Sequence, residues 1–225
     1  MTYFIFKNID SSDYLRVNKL PSIFKPTKDI QKIEVEGRDG FLTQDLGSYK
    51  SIIKSVECTI RNLDNIDFIC SWLTGSGDVI FSNEPDRKYK AVIINQIEFS
   101  RVLRDFKSFI IQFECQPYKY SLDDTVITLS KAGKIFNPCN TKSKPIFKIY
   151  GTGNIDLFVN SNVIHLTNVV DYIVIDSELM DCYKDTQLCN NQMNGDFPEL
   201  SSGNNTISWT GSVTKIEVKT NWRWL

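Results

Sequence analysis

The sequence has almost no excess of either charge, because 26 Lys and Arg residues stand against 27 Asp and Glu residues. Binding to duplex nucleic acid needs a dense basic surface, so this balance argues against such a partner. Long apolar runs are also missing, and no stretch reaches the ~18 residues that a membrane helix requires. The N-terminus has no basic start followed by an apolar run. We therefore predict no signal peptide, no membrane partner and synthesis in a cytoplasm.

Close clusters of metal ligands and nucleophiles are missing as well. Of the six cysteines, the nearest two in sequence are Cys182 and Cys189, so the chain has no CxxC motif of a zinc site. Without a secretion signal we expect buried thiols rather than disulfides. The one histidine, His165, lies in an alternating stretch without a nearby carboxylate in sequence, and no GxSxG motif occurs. We predict no cofactor, no metal and no catalytic residue.

Glycine is scarce, and Gly75 and Gly77 lie close together in WLTGSGDVIFSNEPDRKYKAVI (72–93). A dinucleotide phosphate loop needs a strand, then glycines and then a helix, whose N-terminal amides face the anion. Here a predicted helix precedes the glycines and a predicted strand follows them. The carbonyl groups at a helix C-terminus repel phosphate, and the carboxylate of Asp78 does so too. The pattern indicates a turn between two elements.

Paired carboxylates leave one enzymatic hypothesis open. Asp123 and Asp124 are adjacent, and Asp176 and Glu178 are two residues apart. Two carboxylates are the catalytic groups of most glycosidases. Adjacent charges at loop edges are far more often solvated, so we favour a protein that is not an enzyme.

Tryptophans near the C-terminus leave a binding hypothesis open. Trp209, Trp222 and Trp224 offer aromatic faces on which a saccharide ring can stack. At two-residue spacing, Trp222 and Trp224 point to one side of a strand. Burial against a domain core is the alternative, and we favour it.

Alternation of apolar and polar residues, with a β-branched and aromatic bias, is abundant and predicts a mainly β protein. One helix is predicted over 62–75, because Leu63, Ile66 and Leu73 form an apolar stripe. Gly75 suits the left-handed residue at its C-terminus. The predicted strands before residue 117 are 14–20, 32–37, 55–61, 78–82, 89–102 and 106–116.

After residue 116 the chain has no predicted helix of useful length, and short strand patterns continue with polar connections. These strands are predicted at 146–151, 155–160, 162–166, 171–176, 206–210 and 214–220. A turn-rich stretch precedes them. We therefore predict an N-terminal β-sandwich domain with one helix over 1–130, a linker over 131–141 and an all-β domain over 142–225.

Four stretches match, in order and spacing, the motifs of a known family. EVEGRDGFL (34–42) matches an early G-R-x-G-x-L segment, and residues 66–93 match a helix, W-L, a glycine turn and P-x-x-x-Y-x-A. FKSFIIQFECQPYKYS (106–121) ends in F-x-C-x-P-Y, and residues 197–225 begin with F-P-x-L-x-x-G-x-N. With these motifs the chain resembles the distal tail proteins, the baseplate hubs of siphophages and prophages of Gram-positive bacteria.

The resemblance implies an N-terminal, tail-tube-like β-sandwich with one helix and a protruding hairpin, through which six copies close into a ring. It implies a C-terminal β-sandwich similar to galectins and carbohydrate-binding modules. HLTN (165–168) departs from the galectin segment H-x-N-x-R, so the resemblance does not extend to a sugar site. The residues that match the family motifs, with structural roles, are Gly37, Arg38, Gly40, Trp72, Leu73, Gly77, Pro85, Tyr89, Pro117, Phe197, Pro198, Leu200, Gly203 and Asn205.

The family's partners follow from the same resemblance. The ring joins the tail-tube protein to the tail-associated lysin or tip protein, and the tape-measure protein or DNA passes through its lumen. Receptor-binding proteins attach to the outer domain of larger baseplates. The expected location is the virion, at the tail tip. The alternatives are a carbohydrate-binding module for host cell-wall saccharide and a tail-tube or tail-completion protein.

Overall fold

The structure, a computed structural model, describes residues 2–99, 101–102, 105–106, 108–123 and 125–225. The chain divides into two compact units, one ending at Lys119 and the other running from Tyr120 to Trp224, with Leu225 assigned to the first. Each unit has a hydrophobic core of its own.

The first unit consists of strands and one α-helix, α1 (Ile66–Trp72), which follows a 3-10 turn at Leu63–Asn65. A second 3-10 turn lies at Ser11–Asp13. The strands are β1 (Phe4–Phe6), β2 (Ile9–Asp10), β3 (Leu15–Lys19), β4 (Lys28–Glu34), β5 (Phe41–Tyr49), β6 (Ile52–Ile60), β7 (Ser76–Phe81), β8 (Arg87–Ile93), β9 (Arg101–Val102), β10 (Asp105–Phe106) and β11 (Phe109–Ser121).

The main sheet of this unit has the strand order β2-β1-β7-β8-β11-β6-β3. Alternate residues of each strand face the core, as the period of two requires. At its centre the ring of Phe113 meets those of Phe4, Phe6 and Phe81 edge-on, with centroids 5.5, 5.4 and 5.8 Å apart. Such aromatic pairs stabilise a core beyond the area they bury.

The helix is shorter than predicted. Its apolar stripe buries Ile69 and Trp72, and the turn before it is 3-10 rather than α. Gly75 has φ +73°, the left-handed conformation expected just after a helix. The predicted strand 89–102 ends at Ile93, and Ser100 lies outside the described residues.

The second unit is all β apart from a 3-10 turn at Asn190–Gln192. Its strands are β12 (Val126–Leu129), β13 (Gly133–Asn137), β14 (Ile146–Val159), β15 (Asn162–Val169), β16 (Tyr172–Asp176), β17 (Asp181–Lys184), β18 (Gln187–Leu188), β19 (Met193–Asn194), β20 (Gly203–Lys219) and β21 (Arg223–Trp224).

The long strands β14 and β20 run through both layers of this unit. β14 pairs with β16 in its first part and with β15 in its last part, while β20 pairs first with β13 and then with β12. Between these parts the β14–β20 register shifts near Gly151 and Gly211. Ile149 and Leu157, from the two parts of β14, pack into one core. The sheet thus folds over itself into a sandwich, with bulges at the bend.

Each of these long strands was predicted as two separate strands, because the alternation breaks where the bulges lie. In β20 the buried positions change from odd (Asn205, Ile207) to even (Ile216, Val218). A bulge adds one residue to a strand and causes this change of phase.

The unit boundary differs from the predicted one. We predicted a linker over 131–141, but residues 133–137 form β13, which pairs with β20. Ile135 and Cys139 are buried in the second unit. Turn residues at both ends of β13 give this segment the composition of a linker. As a division into independently folding domains, the boundary remains a prediction.

The fold-class prediction is confirmed, because the described residues form a mainly β protein with one α-helix and a β4–β5 hairpin. Within the described residues, no helix is long and apolar enough to span a membrane.

Candidate interaction surfaces

The β4–β5 hairpin forms a two-stranded sheet of its own, joined by residues 35–40. At its tip Gly37 and Gly40 have φ +80° and +82°, a conformation that a β-carbon disfavours. The Arg38 N–H donates to the carbonyl of Val35 at 3.1 Å and closes the turn. Three of the family-motif residues therefore shape the tip of one hairpin.

Both faces of this hairpin expose large apolar side chains. Ile33 lies opposite Leu42 on one face, and Phe41 lies opposite Glu34 on the other. A lone two-stranded hairpin is marginally stable in water, and an exposed apolar surface of this kind is typical of an interaction site. Six apolar side chains are 39–49% exposed, namely Ile30, Ile33, Val35, Phe41, Leu42 and Leu46.

Polar contacts hold the base of the hairpin. Lys28 and Asp45 form an ion pair across the two strands, and the hydrogen bond from Lys28 holds the pKa of Asp45 below its usual value. The Lys50 N–H donates to the carbonyl of Thr27 at 2.9 Å. Because the ion pair is exposed, the backbone bond and the strand ladder contribute most of the local order.

A buried charge cluster lies inside the first unit. Lys119 donates to Glu84 at 2.5 Å, and the Tyr89 hydroxyl donates to the other carboxylate oxygen at 2.5 Å. Lys54 is 1% exposed, with its ammonium 4.6 Å from the centroid of the Tyr89 ring. It also donates to the carbonyl of Ser22 at 3.2 Å, in the segment that leads into the hairpin.

Sequence reasoning did not identify this cluster, although β6 carried a signal. Lys54 shares its parity with the buried Val56, Cys58 and Ile60, which places it on the core face. Burial lowers the pKa of Lys54. Burial also acts to raise the pKa of Glu84, but the hydrogen bonds from its partners outweigh it and leave that pKa below the ordinary value.

The other N-terminal motif residues have structural surroundings. Trp72 donates its indole N–H to the carbonyl of Phe6 at 2.9 Å and stacks on Phe4, with centroids 5.7 Å apart. Leu73 is buried beside it, and Gly77 lies in β7, where a β-carbon would approach the Lys7 side chain at 2.7 Å. Pro85 lies in the β7–β8 turn, and Pro117 lies in β11.

The C-terminal motif forms a loop over the second core. Asn205 is fully buried, and its amide group donates to the carbonyls of Ser201 and Gly203 at 2.8 and 3.0 Å. Its side-chain oxygen accepts from Asn160 and from the Ser201 N–H, both at 2.8 Å. Leu200 and Pro198 are buried, and Phe197 is half-buried. Gly203 has φ +87°, so this loop needs glycine there.

The three tryptophans of the saccharide hypothesis are half-buried. Trp209 and Trp222 pack against the second core. Trp224 lies in β21. Their role in saccharide stacking remains a prediction.

His165 has a carboxylate partner that sequence spacing did not reveal. Asp156 lies directly opposite it on β14, with the two side chains 2.7 Å apart at Nδ1 and Oδ1. Thr210 donates to the other oxygen of Asp156 at 3.2 Å. The histidine bond holds the pKa of Asp156 below its usual range. Both side chains are about half exposed, as in a surface pair.

The paired carboxylates have turn-forming roles. Asp176 accepts from the N–H groups of Glu178 and Leu179 at 2.9 and 3.0 Å. Asp123 accepts from the Thr125 N–H at 3.0 Å, and Asp124 lies outside the described residues. Among the described residues, no three His, Cys, Asp or Glu side chains are grouped as metal ligands.

Comparisons with known proteins agree with this geometry. Residues 8–115 match the family model of the phage tail protein RIFT-related domain. A search of curated proteins gave no match. Among solved structures, the fold is similar to that of SPP1 Dit (gp 19.1), described as a paradigm of the hub adsorption apparatus in phages infecting Gram-positive bacteria. The TM-score is 0.78 at 13% sequence identity, and all of both chains is covered.

The matched segment contains α1, the β4–β5 hairpin and the buried charges Lys54 and Glu84. The structural similarity covers the whole chain, including the second unit, and at 13% identity it shows the fold alone. The family resemblance drawn from the four sequence motifs is thus confirmed. The chain carries the phage tail protein RIFT-related domain and has, along its whole length, the fold of a siphophage distal tail protein.

Proposed function

We propose that this chain is the ring-forming hub subunit of a phage tail tip, with six copies in the ring. The hub connects the tail-tube protein to the tail-associated lysin, tip protein or receptor-binding proteins. The tape-measure protein and DNA pass through its lumen. The subunit is made in the host cytoplasm and functions in the virion, without catalysis.

The observation that carries this proposal is the β4–β5 hairpin, which exposes apolar side chains on both faces. A hairpin of this composition needs a protein surface to cover it. In a closed ring each subunit uses two different patches, one of which meets the other patch on its neighbour. The hairpin is the protruding patch.

The receiving patch is the outer face of the main sheet. Ile53 on β6 and Ile110 on β11 are 52% and 51% exposed, and both point away from the core. Val92 and Ile94 are also exposed, at 37% and 44%. We propose that the hairpin of one subunit packs on these apolar side chains of the next subunit, on a face where Glu57 lies opposite Ile110 and Glu114 lies opposite Ile53.

The test compares two interface variants with a matched control. Leu42→Glu alters the hairpin and Ile110→Glu alters the receiving face, while Val170→Glu places the same charge on an exposed apolar position of the second unit. Native mass spectrometry of the full chain should give hexamers for the wild type and for the control. Each interface variant alone should remain monomeric.

Mixing the two interface variants tests the direction of assembly. The intact hairpin of the Ile110→Glu subunit meets the intact sheet face of the Leu42→Glu subunit, so the mixture should form heterodimers and no larger rings. A wild type that remains monomeric, alone and with the tail-tube protein as template, would overturn the hub proposal. Long stacked tubes in electron micrographs would favour the tail-tube alternative.

A second candidate function is saccharide binding by the second unit. A cleft of about 670 Å³ is lined by Asn160, Asn162, Asp196 and Phe197, among others. Amide and carboxylate groups hydrogen-bond hydroxyls, and an aromatic face stacks on a sugar ring. Retention on a host cell-wall glycan array that is lost in Asn162→Ala would support it. Equal retention of wild type and variant at background level excludes it.

The absence of catalysis is tested on cell walls. A zymogram with host peptidoglycan should show no clearing at the position of the purified chain. Clearing that is lost in Glu178→Gln would instead support the glycosidase hypothesis.

A further inference from the structure

Two cysteines of the second unit lie opposite each other at the end of a small hairpin. In β17 and β18, Tyr183 pairs with Leu188 and Lys184 with Gln187. Just past the end of β18, the Cys189 N–H donates to the carbonyl of Cys182 at 2.6 Å. The Cys182 N–H donates to the side-chain oxygen of Asn190, so one backbone hydrogen bond joins the two cysteines.

Both thiols lie against the same core. Cys182 is fully buried in the second core, and Cys189 is half-buried and packs against the same core. A disulfide needs Cα atoms about 4.4–6.8 Å and Cβ atoms about 3.5–4.5 Å apart. The backbone bond between the two residues and their packing against one core bring the two side chains close to each other.

We propose that Cys182 and Cys189 form a redox-active dithiol that closes to an intramolecular disulfide when the protein meets a small-molecule disulfide such as oxidised glutathione. The Cys189 thiolate attacks one sulfur of the oxidant, and one glutathione thiolate leaves. The Cys182 sulfur then attacks the mixed disulfide on Cys189, and the second glutathione leaves. Two protein thiols are oxidised, one disulfide is reduced to two thiols, and two protons pass to these thiols.

Exposure sets the order of these steps. Cys189 is the accessible sulfur and meets the oxidant first. Burial raises the pKa of Cys182 to about 12, and this side chain is shielded from the oxidant until Cys189 presents the mixed disulfide. In the disulfide form, the end of β18 is linked covalently to Cys182, the core-facing residue of β17. Gln187 and Leu188 of β18 are exposed.

The biological timing rests on the proposed function. A tail subunit is assembled in a reducing cytoplasm and then leaves the cell in a particle that meets oxidising conditions. The dithiol would therefore be open during assembly and closed in the released virion. The thiol chemistry itself does not depend on ring formation.

The test uses the purified full chain, treated with oxidised glutathione or with dithiothreitol and blocked with an alkylating reagent. Trypsin cuts after Lys184, between the two cysteines, so a disulfide joins two peptides that separate on reduction. We expect this joined pair in the wild type and in Cys70→Ser, which removes the exposed cysteine of α1. In Cys182→Ser, Cys189 should instead accumulate as a glutathione adduct.

Amide hydrogen exchange gives a second measurement beside the peptide mapping. Oxidation should slow amide exchange over 183–190 in the wild type and leave it unchanged in Cys189→Ser. A wild type that keeps the glutathione adduct on Cys189, leaves both thiols unmodified or links Cys189 to another cysteine would overturn the proposal. Native mass spectrometry on the same samples reports ring formation separately, so failure of the disulfide and failure of the hub are distinguished.

Discussion

At the scale of single residues, Asn205 holds the loop over the second core through both the oxygen and the nitrogen of its side-chain amide. It accepts from Asn160 and Ser201 and donates to two carbonyl groups, with no exposed surface. A buried polar group that loses its partner costs about 1–3 kcal/mol. Asparagine offers an acceptor oxygen and two N–H donors on one short side chain, and alanine offers neither.

We therefore predict that Asn205→Ala lowers the free energy of unfolding of the second unit by about 2–4 kcal/mol. The neighbouring Asn204 is exposed, so Asn204→Ala is the matched control and should change it by less than about 0.5 kcal/mol. Urea denaturation followed by tryptophan fluorescence measures both. Equal effects of the two substitutions would contradict this role for Asn205.

Glu84 provides the second prediction at this scale, through its ion pair with Lys119 and its bond from Tyr89. Its pKa in the folded state lies below the ordinary value of 4.5. The stabilisation from the ionised carboxylate is therefore fully present above pH 4.5 and is lost as the pH falls through the folded-state pKa. Glu84→Gln leaves the ammonium of Lys119 buried without its counter-charge.

We expect Glu84→Gln to lower the free energy of unfolding by about 3–5 kcal/mol at pH 7, because it breaks a buried ion pair. The difference from wild type should shrink below pH 4.5. Glu114→Gln on β11 is the control, because Glu114 is half exposed and its partner, the Ser51 hydroxyl, can also bond to an amide oxygen. Urea titrations between pH 3 and pH 8 provide the measurement. A difference that does not depend on pH would contradict the assignment.

At the scale of elements, the bend of β14 and β20 depends on glycines that touch backbone. Gly211 has φ +92°, and a β-carbon there would lie 2.4 Å from the carbonyl oxygen of Asn154. Gly153 has φ +79° but open space around it. Alanine at either position would be strained by the left-handed backbone conformation. Only at position 211 would its β-carbon also clash with a neighbouring strand.

Gly153→Ala should therefore lower the free energy of unfolding by about 1–2 kcal/mol, because a residue with a β-carbon is strained in the left-handed conformation. Gly211→Ala should cost more than Gly153→Ala, because the backbone of β14 must also move. Thermal unfolding by circular dichroism compares the two variants with the wild type. A smaller loss for Gly211→Ala than for Gly153→Ala would contradict the close packing of the bulges.

Pattern reasoning succeeded at this scale where one face of a strand is buried. The alternation in 55–61 and 106–116 predicted β6 and β11, because inward and outward residues differ in polarity. It missed β5, whose residues are nearly all exposed. A strand without a buried face has no reason to alternate, and β5 is ordered by its pairing with β4.

At the scale of the whole molecule, the second unit needs its first two strands. β12 and β13 cover the edges of β20, and Ile135 contributes to the core. We predict that a fragment of residues 120–225 folds, while a fragment of residues 142–225 is unfolded or aggregates, because its sheet edges and core are uncovered. Heteronuclear NMR spectra of the two fragments provide the measurement. Well-dispersed spectra from the shorter fragment would restore the linker predicted over 131–141.

The sequence by itself determined the mainly β class, the predicted helix, the position of Gly75 at its end and the resemblance to phage tail proteins. Each of these depends on local spacing, since polarity period, turn residues and motif order are read along one chain. Only the tertiary structure decided which polar and titratable side chains lie next to each other. It brought Lys54 to Tyr89, Lys119 to Glu84, Asp156 to His165 and Cys182 to Cys189. Asp156 and His165 meet because β14 and β15 pair in one register, which the amphipathic pattern constrains but does not specify. The other pairs join strands that are not neighbours or residues outside the strands, so they depend on how the whole sheet closes.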